Sequence, residues 1–192
     1  MAQCLVNRGV ASKAEVSEFL NPRLKLLADP FLIPNMDAAV ERLWKAREDN
    51  ERLLIYGDYD VDGVSSTALL VEMLTELGWT VQPYLPSRFD GGYGLSAVPL
   101  EKCLEKFDVD IVLAVDCGST AVEAIEFLNS KKVDVLVLDH HQVSVPPPEP
   151  LAMVNPQVSS DYPNFQELCS VGLAFKLTHA LVKRGRQEGL QK

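Results

Sequence analysis

From Leu53 to Leu138 short apolar runs alternate with amphipathic stretches in a regular order. The pattern predicts strands over 53–57, 79–84, 110–115 and 133–138, and helices over 64–77, 97–106 and 120–130. A short apolar run between turn residues reads as a strand buried on both faces, whereas apolar positions spaced by three and four read as helix. Parallel strands need crossover connections, which are usually helices. Repeated βα units therefore predict an α/β fold, a parallel sheet between two helical layers.

Ahead of the first strand, Ser12-Lys13-Ala14-Glu15 has the form of a capping box, and the helix it opens should stop near Leu20 because Asn21-Pro22 cannot continue it. A second helix is expected from about Asp37 to Arg47, with Ala39, Val40, Leu43 and Trp44 on one face. Residues 1–50 thus read as a helical lead-in and 51–192 as the α/β domain. Thr120-Ala121-Val122-Glu123 offers another capping box. Beyond His141 the chain enters Pro146-Pro147-Pro148 and reads as irregular until Ser170, where a final helix begins. A structureless stretch of that length is uncommon inside a compact domain and is often functional.

The strand ends carry the candidate chemistry. Leu53–Gly57 runs into Asp58-Tyr59-Asp60-Val61-Asp62-Gly63, Ile111–Val115 into Asp116-Cys117-Gly118, and Val133–Leu138 into Asp139-His140-His141, which holds two of the three histidines. In an open parallel sheet the C-terminal strand ends share one edge, so these carboxylates and imidazoles should converge. Like charges so crowded cannot all ionise without cations between them. Oxygen donors with one or two imidazoles suit Mn²⁺ or Mg²⁺ better than the thiolate-rich sites of structural zinc. Two such ions about 3.5–4 Å apart polarise a phosphoryl oxygen and activate water for in-line hydrolysis. Asp58 and Asp60 could serve neighbouring ions, with Asp116 bridging them. A single D-x-D in a loop is more often a turn and cap than a ligand pair; three consecutive acidic strand ends reverse that and favour metal. Asp62 stays open between ligand and cap of helix 64–77. Asp139 stays open between ligand and support for a histidine.

The loop Pro86-Ser87-Arg88-Phe89-Asp90-Gly91-Gly92-Tyr93-Gly94 is not a P-loop, since no G-K-[ST] follows. Arg88 could bind a phosphate and Phe89 or Tyr93 could stack on a base. Alternatively the glycines only turn the chain over packed aromatics.

Composition narrows the class. A chain of 192 residues, 47% hydrophobic and 23% charged, is ordinary for one well-buried globular domain. No run approaches the roughly 18 apolar residues of a membrane span, and the N-terminus lacks the layout of a signal peptide, so a cytoplasmic protein is expected. Cys4, Cys103, Cys117 and Cys169 lie far apart with no C-x-x-C pair, which suits reduced thiols. Cys117, directly after Asp116, could line the same cleft. The net charge of −9 is unusual for a protein that handles nucleic acid. The acid is concentrated, however, with fifteen Asp or Glu against five Lys or Arg between Leu53 and Val145. That is where metals would neutralise it.

At Tyr56-Gly57-Asp58-Tyr59-Asp60-Val61-Asp62-Gly63, Val115-Asp116-Cys117-Gly118 and Asp139-His140-His141 the chain resembles the DHH phosphoesterase superfamily, and within it the RecJ-type single-strand-specific exonucleases. Phe19-Leu20-Asn21-Pro22, Gly92-Tyr93-Gly94-Leu95, Val154-Asn155-Pro156 and Val171-Gly172-Leu173-Ala174-Phe175-Lys176 extend the likeness over nearly the whole chain. The resemblance implies a DHH-type domain and 5′-to-3′ hydrolysis of single-stranded DNA with two Mn²⁺ or Mg²⁺ ions, in DNA repair and recombination. It implies Asp58, Asp60, Asp116 and His140 as metal ligands, and Asp116 and His141 as the catalytic residues, His141 contacting the scissile phosphate or completing a metal shell. Arg88, Tyr93 and Gly94 would meet the substrate. A monomer working with a single-strand-binding protein and a helicase is implied as well.

Smaller superfamily members that cleave oligoribonucleotides or cyclic dinucleotides carry a histidine four residues before the first aspartate. Leu54 stands there, which favours the RecJ type. A non-catalytic nucleic-acid-binding module of the same fold is the remaining alternative. The superfamily also places a fourth ligand aspartate on a strand beyond the helix at Ser170, then a second lobe; the chain ends at Lys192 before either. An N-terminal fragment of a longer enzyme is therefore expected.

Overall fold

Alternate residues of each strand face different cores, and both cores are apolar. The computed structural model describes residues 2–87, 94–159 and 165–189. Its strands are β1 (Arg52–Gly57), β2 (Thr80–Tyr84), β3 (Ile111–Val115), β4 (Asp134–Leu138) and β5 (Ala152–Val154). They form one parallel sheet in the order β2-β1-β3-β4-β5.

Helices α1 (Ala2–Val6), α2 (Lys13–Leu20) and α3 (Met36–Glu48) precede β1, and α4 (Val61–Glu76), α5 (Ala97–Lys106), α6 (Val122–Ser130) and α7 (Ser170–Gln187) follow it. Leu53, Ile55, Ile111, Leu113, Val115, Leu136 and Leu138 pack with α3, α4 and α7. Leu54, Tyr56, Val112, Ala114, Val135 and Val137 pack with Leu100 and Cys103 of α5 and Ala124, Ile125 and Leu128 of α6. The three-layer α/β arrangement expected from the alternation is the one found.

Several boundaries differ for identifiable reasons. The stretch after His141 contains a fifth strand, because Ala152–Val154 pairs with Leu136–Leu138. Three residues are too few to show a period. Helix α4 starts at Val61, not 64, and its cap is Asp60, whose carboxylate accepts from the N–H groups of Asp62 and Gly63. Asp62 therefore does not cap it. The Thr120 capping box does not form either: α6 starts after Ala121 with no side-chain cap. The Ser12 box does form, reciprocally with Glu15. Pro83 is tolerated in β2 because that strand lies at the sheet edge. All four cysteines are free thiols. No described helix is long and apolar enough to cross a membrane.

The strand order sets the functional edge. From β1 the chain crosses on α4 to β2 on one side, then returns on α5 to β3 on the other. Their crossings use opposite faces, so a crevice opens between the C-terminal ends of β1 and β3, where open α/β sheets bind ligands.

Candidate metal centre

Asp58, Asp116 and Asp139 extend the parallel ladder by one rung past the strand ends. The Asp58 N–H donates to Val115 O at 3.2 Å, that of Asp116 to Leu138 O at 3.0 Å, and that of Asp139 to Val154 O at 3.2 Å. Three acids are thereby fixed side by side by backbone hydrogen bonds, and all three are buried. Asp116 has φ 61°, in the left-handed region that aspartate tolerates better than most residues. Gly118 follows at φ 112°, tight against Val137, so the chain turns sharply where the carboxylate is presented.

The donor atoms fall into two triads sharing one member. Ligand atoms of Asp58, Asp60 and Asp116 lie within 4.8 Å of one another, as do those of Asp116, His140 and His141. The set fits divalent cations on a further observation: Asp58 Oδ2 is buried and unpartnered among the described residues, while Oδ1 accepts from the Tyr59 N–H at 2.7 Å. A buried carboxylate oxygen without a partner costs about 1–3 kcal/mol or more, and a cation would relieve it. Burial, with the charges of Asp62 and Asp60, pushes the Asp116 carboxyl up to about 7 against a hydrogen bond from Ser170. The backbone N–H of Gly63 holds Asp60 below the usual carboxylate range.

Asp139 supports the histidine pair. Its Oδ1 meets His141 Nδ1 at 2.7 Å and accepts from the His140 N–H at 2.7 Å, and its Oδ2 accepts from the Ser119 N–H at 3.0 Å. Burial opposes the charge on Asp139, but the contacts with Ser119 and His141 outweigh it and lower the carboxyl. His141 is raised in turn, because Asp139 more than offsets the cost of partial burial. His140 Nε2 stands 3.4 Å from Asp116 Oδ1 and 3.8 Å from Asp62 Oδ2.

Asp62 faces away from its own helix start, toward α7. Its two oxygens accept from the N–H groups of Ser170 (2.7 Å) and Val171 (2.9 Å).

Arg88 and Tyr93 lie outside the described residues. Gly94 adopts φ 72°, accepts from the Tyr56 hydroxyl at 3.2 Å, and lines a cavity of about 370 Å³ with Asp116, Cys117, Thr120, Asp139 and His141. A larger cavity of about 580 Å³ lies elsewhere, beside Leu104, Phe107 and Phe127. The larger one is lined by Glu101, Glu105, Asp108 and Lys131, none of them at the C-terminal end of a strand, whereas the smaller one holds the strand-end groups Asp116, Asp139 and His141, and we place the chemistry there.

Three polar residues at the centre had no assigned role from sequence: Ser119, Asn155 and Ser170. Asn155, fully buried, donates to Ser119 Oγ and to His141 O, both at 2.8 Å, and accepts from the Gln157 N–H. In the sequence it stands out only within the family-like segment Val154-Asn155-Pro156, which assigns it no role. Asn155→Ala is expected to cost about 1–3 kcal/mol, measured by urea unfolding without metal; a change under about 0.5 kcal/mol, the usual size of a surface effect, rejects the bracing role.

The model of the DHH family, N-terminal domain, matches residues 52–192. The chain belongs to the DHH family. Among curated DHH relatives, the single-stranded-DNA-specific exonuclease RecJ of Bacillus subtilis is 36% identical over 95% of this chain and 23% of its own length. That of Haemophilus influenzae is 38% identical over 89% of this chain and 30% of its own. The crystal structure of exonuclease RecJ bound to manganese superposes with a TM-score of 0.73 at 34% identity, covering 83% of this chain and 39% of that one. This DHH chain thus spans less than a third of the length of those two curated relatives.

Proposed function

We propose that this chain is the metal-binding part of a phosphodiesterase that removes nucleotides from single-stranded DNA in the 5′-to-3′ direction, using two Mn²⁺ or Mg²⁺ ions. The observation that carries it is Asp116 standing in both donor triads. One carboxylate common to two cation sites is what a two-metal phosphoryl-transfer centre needs. The likeness to RecJ exonucleases, one of them a manganese complex, supports the substrate and the metal.

In this reading Asp58, Asp60, Asp116 and His140 hold the cations, with two carboxylates from β1 and its loop, one from β3 and an imidazole from β4. When bound, the ions polarise the phosphate and acidify water. His141, lining the cavity with Nδ1 engaged by Asp139, keeps Nε2 to meet the scissile phosphate or to complete the second triad. The raised affinity of His141 for a proton suits an anionic partner. Asp62 and Asp139 act behind the ligands, because their oxygens are already taken by protein donors. Gly94 belongs to the substrate wall, with Arg88 and Tyr93 assigned to phosphate and base. Residues 1–50 serve as the lead-in and 51–192 as the DHH unit. The working enzyme would be a cytoplasmic monomer in DNA repair and recombination, beside a single-strand-binding protein and a helicase.

Calorimetric titration of this chain with Mn²⁺ is expected to show two sites. In the full-length protein, Mn²⁺ should support release of mononucleotides from single-stranded DNA with a free 5′ end. A chain that takes up no Mn²⁺, or a full-length protein that leaves such DNA intact, would overturn the proposal.

A further inference from the structure

We infer that Ser170 is a positioning residue for Asp116, and that Asp62 holds it in place. The inference rests on Asp116 being the carboxylate shared by the two cation sites. The Ser170 hydroxyl donates to Asp116 Oδ1 at 2.7 Å, and both side chains are buried. That bond fixes the rotation of the carboxylate, which the turn at φ 61° leaves free at the side-chain torsions. A hydroxyl is a neutral donor. It occupies one of the roughly four acceptor sites of a carboxylate and leaves the charge for cations, whereas a Lys or Arg there would neutralise it.

Ser170 is itself located by Asp62. The N-cap of α7, Cys169, makes no side-chain cap, so the opening N–H groups of this 18-residue helix need an acceptor from elsewhere. Asp62 supplies it from α4, at 2.7 Å to Ser170 and 2.9 Å to Val171. Negative charge at a helix N-terminus is favourable. The third acid of Asp58-Tyr59-Asp60-Val61-Asp62, besides standing 3.8 Å from His140 Nε2, thus reaches Asp116 through the first turn of a helix more than a hundred residues away. Asp62 caps α7, α7 places Ser170, and Ser170 aims Asp116.

Mn²⁺ binding to this chain, followed by calorimetry and by electron paramagnetic resonance, tests the chain of contacts. Ser170→Ala is expected to weaken Mn²⁺ affinity about 10- to 100-fold, the usual effect of removing a group that orients a ligand, and to broaden the distribution of Mn²⁺ spectra. Ser170→Thr, which keeps the hydroxyl, should bind as the wild type does. Asp62→Ala should reproduce the loss in weaker form. If Ser170→Ala does not fold, Ser170→Thr and Ser170→Val provide the same comparison between side chains of equal shape with and without the donor. Affinity within twofold of wild type in the variant lacking the hydroxyl would overturn the inference, as would equal weakening by Thr and by Ala. Wild-type chain that binds no Mn²⁺ would instead overturn the two-cation reading beneath it.

Discussion

Asp116→Asn in the full-length protein is expected to reduce Mn²⁺-dependent release of nucleotides by about a thousandfold or more, about 4 kcal/mol of barrier. Asparagine is the informative replacement because it tolerates the left-handed backbone at this position, whereas alanine would add strain unrelated to charge. The same change should make the metal-free chain more stable. With its carboxyl pushed up to about 7 from an ordinary 3.8, Asp116 binds its proton more tightly folded than unfolded. Its contribution is therefore favourable below about pH 4 and is lost as pH rises to 7. The Asn variant should accordingly gain melting temperature over wild type between those values, with the full gain above pH 7, and should lose most of the rise that Mn²⁺ gives wild type. Unchanged nucleotide release would remove Asp116 from the centre. A metal-free variant less stable than wild type at pH 8 would refute the account of its crowding.

Gly63→Ala is the second substitution with a large expected effect, and general propensity predicts the wrong sign for it. In an ordinary helix, alanine in place of glycine stabilises by about 1 kcal/mol. Here a Cβ would overlap the carbonyl oxygen of Asp58, with Asp58 N at 2.7 Å and its carbonyl carbon at 2.8 Å. Those are backbone atoms of a fully buried residue, so no flexible side chain can yield. Overpacking at such a site costs about 1–3 kcal/mol or more, and relief must come from moving α4 away from the end of β1. The expectation is a net loss of stability in urea unfolding, with Mn²⁺ affinity lowered because Asp58 and Asp60 sit on the displaced segment. A variant as stable as wild type, with full affinity, would show that the contact relaxes at no cost.

The parts of the centre legible in the sequence are those in which one local rule acts alone. Asp58, Asp116 and Asp139 each follow an uninterrupted apolar run, and parallel topology brings the ends of such runs together. The roles of Asp60 and Asp62 were harder to assign, because both stand where a helix starts and either spacing can serve as a cap. Geometry makes Asp60 the cap of α4 and sends Asp62 to α7, a partner 108 residues distant that no local pattern encodes. Asn155 was hidden for a related reason: its strand is three residues long and owes its form to pairing with β4, not to its own periodicity. Ser170 was visible as a helix start, but its hydroxyl serves Asp116 and not its own helix.

The ladder rung formed by Asp58, Asp116 and Asp139 also acts as a ruler. Strands in a sheet stand about 4.8 Å apart because peptide hydrogen bonds set that spacing, whatever the side chains. The backbones presenting Asp58 and Asp116 inherit it, since the N–H of each is tied to the next strand. The distance between the main-chain anchors of Asp58 and Asp116 is then set by the backbone, and exchanging side chains would alter which donor atoms stand there more readily than how far apart their anchors sit. Resetting that distance would take a bulge or a slip of one residue between β1 and β3.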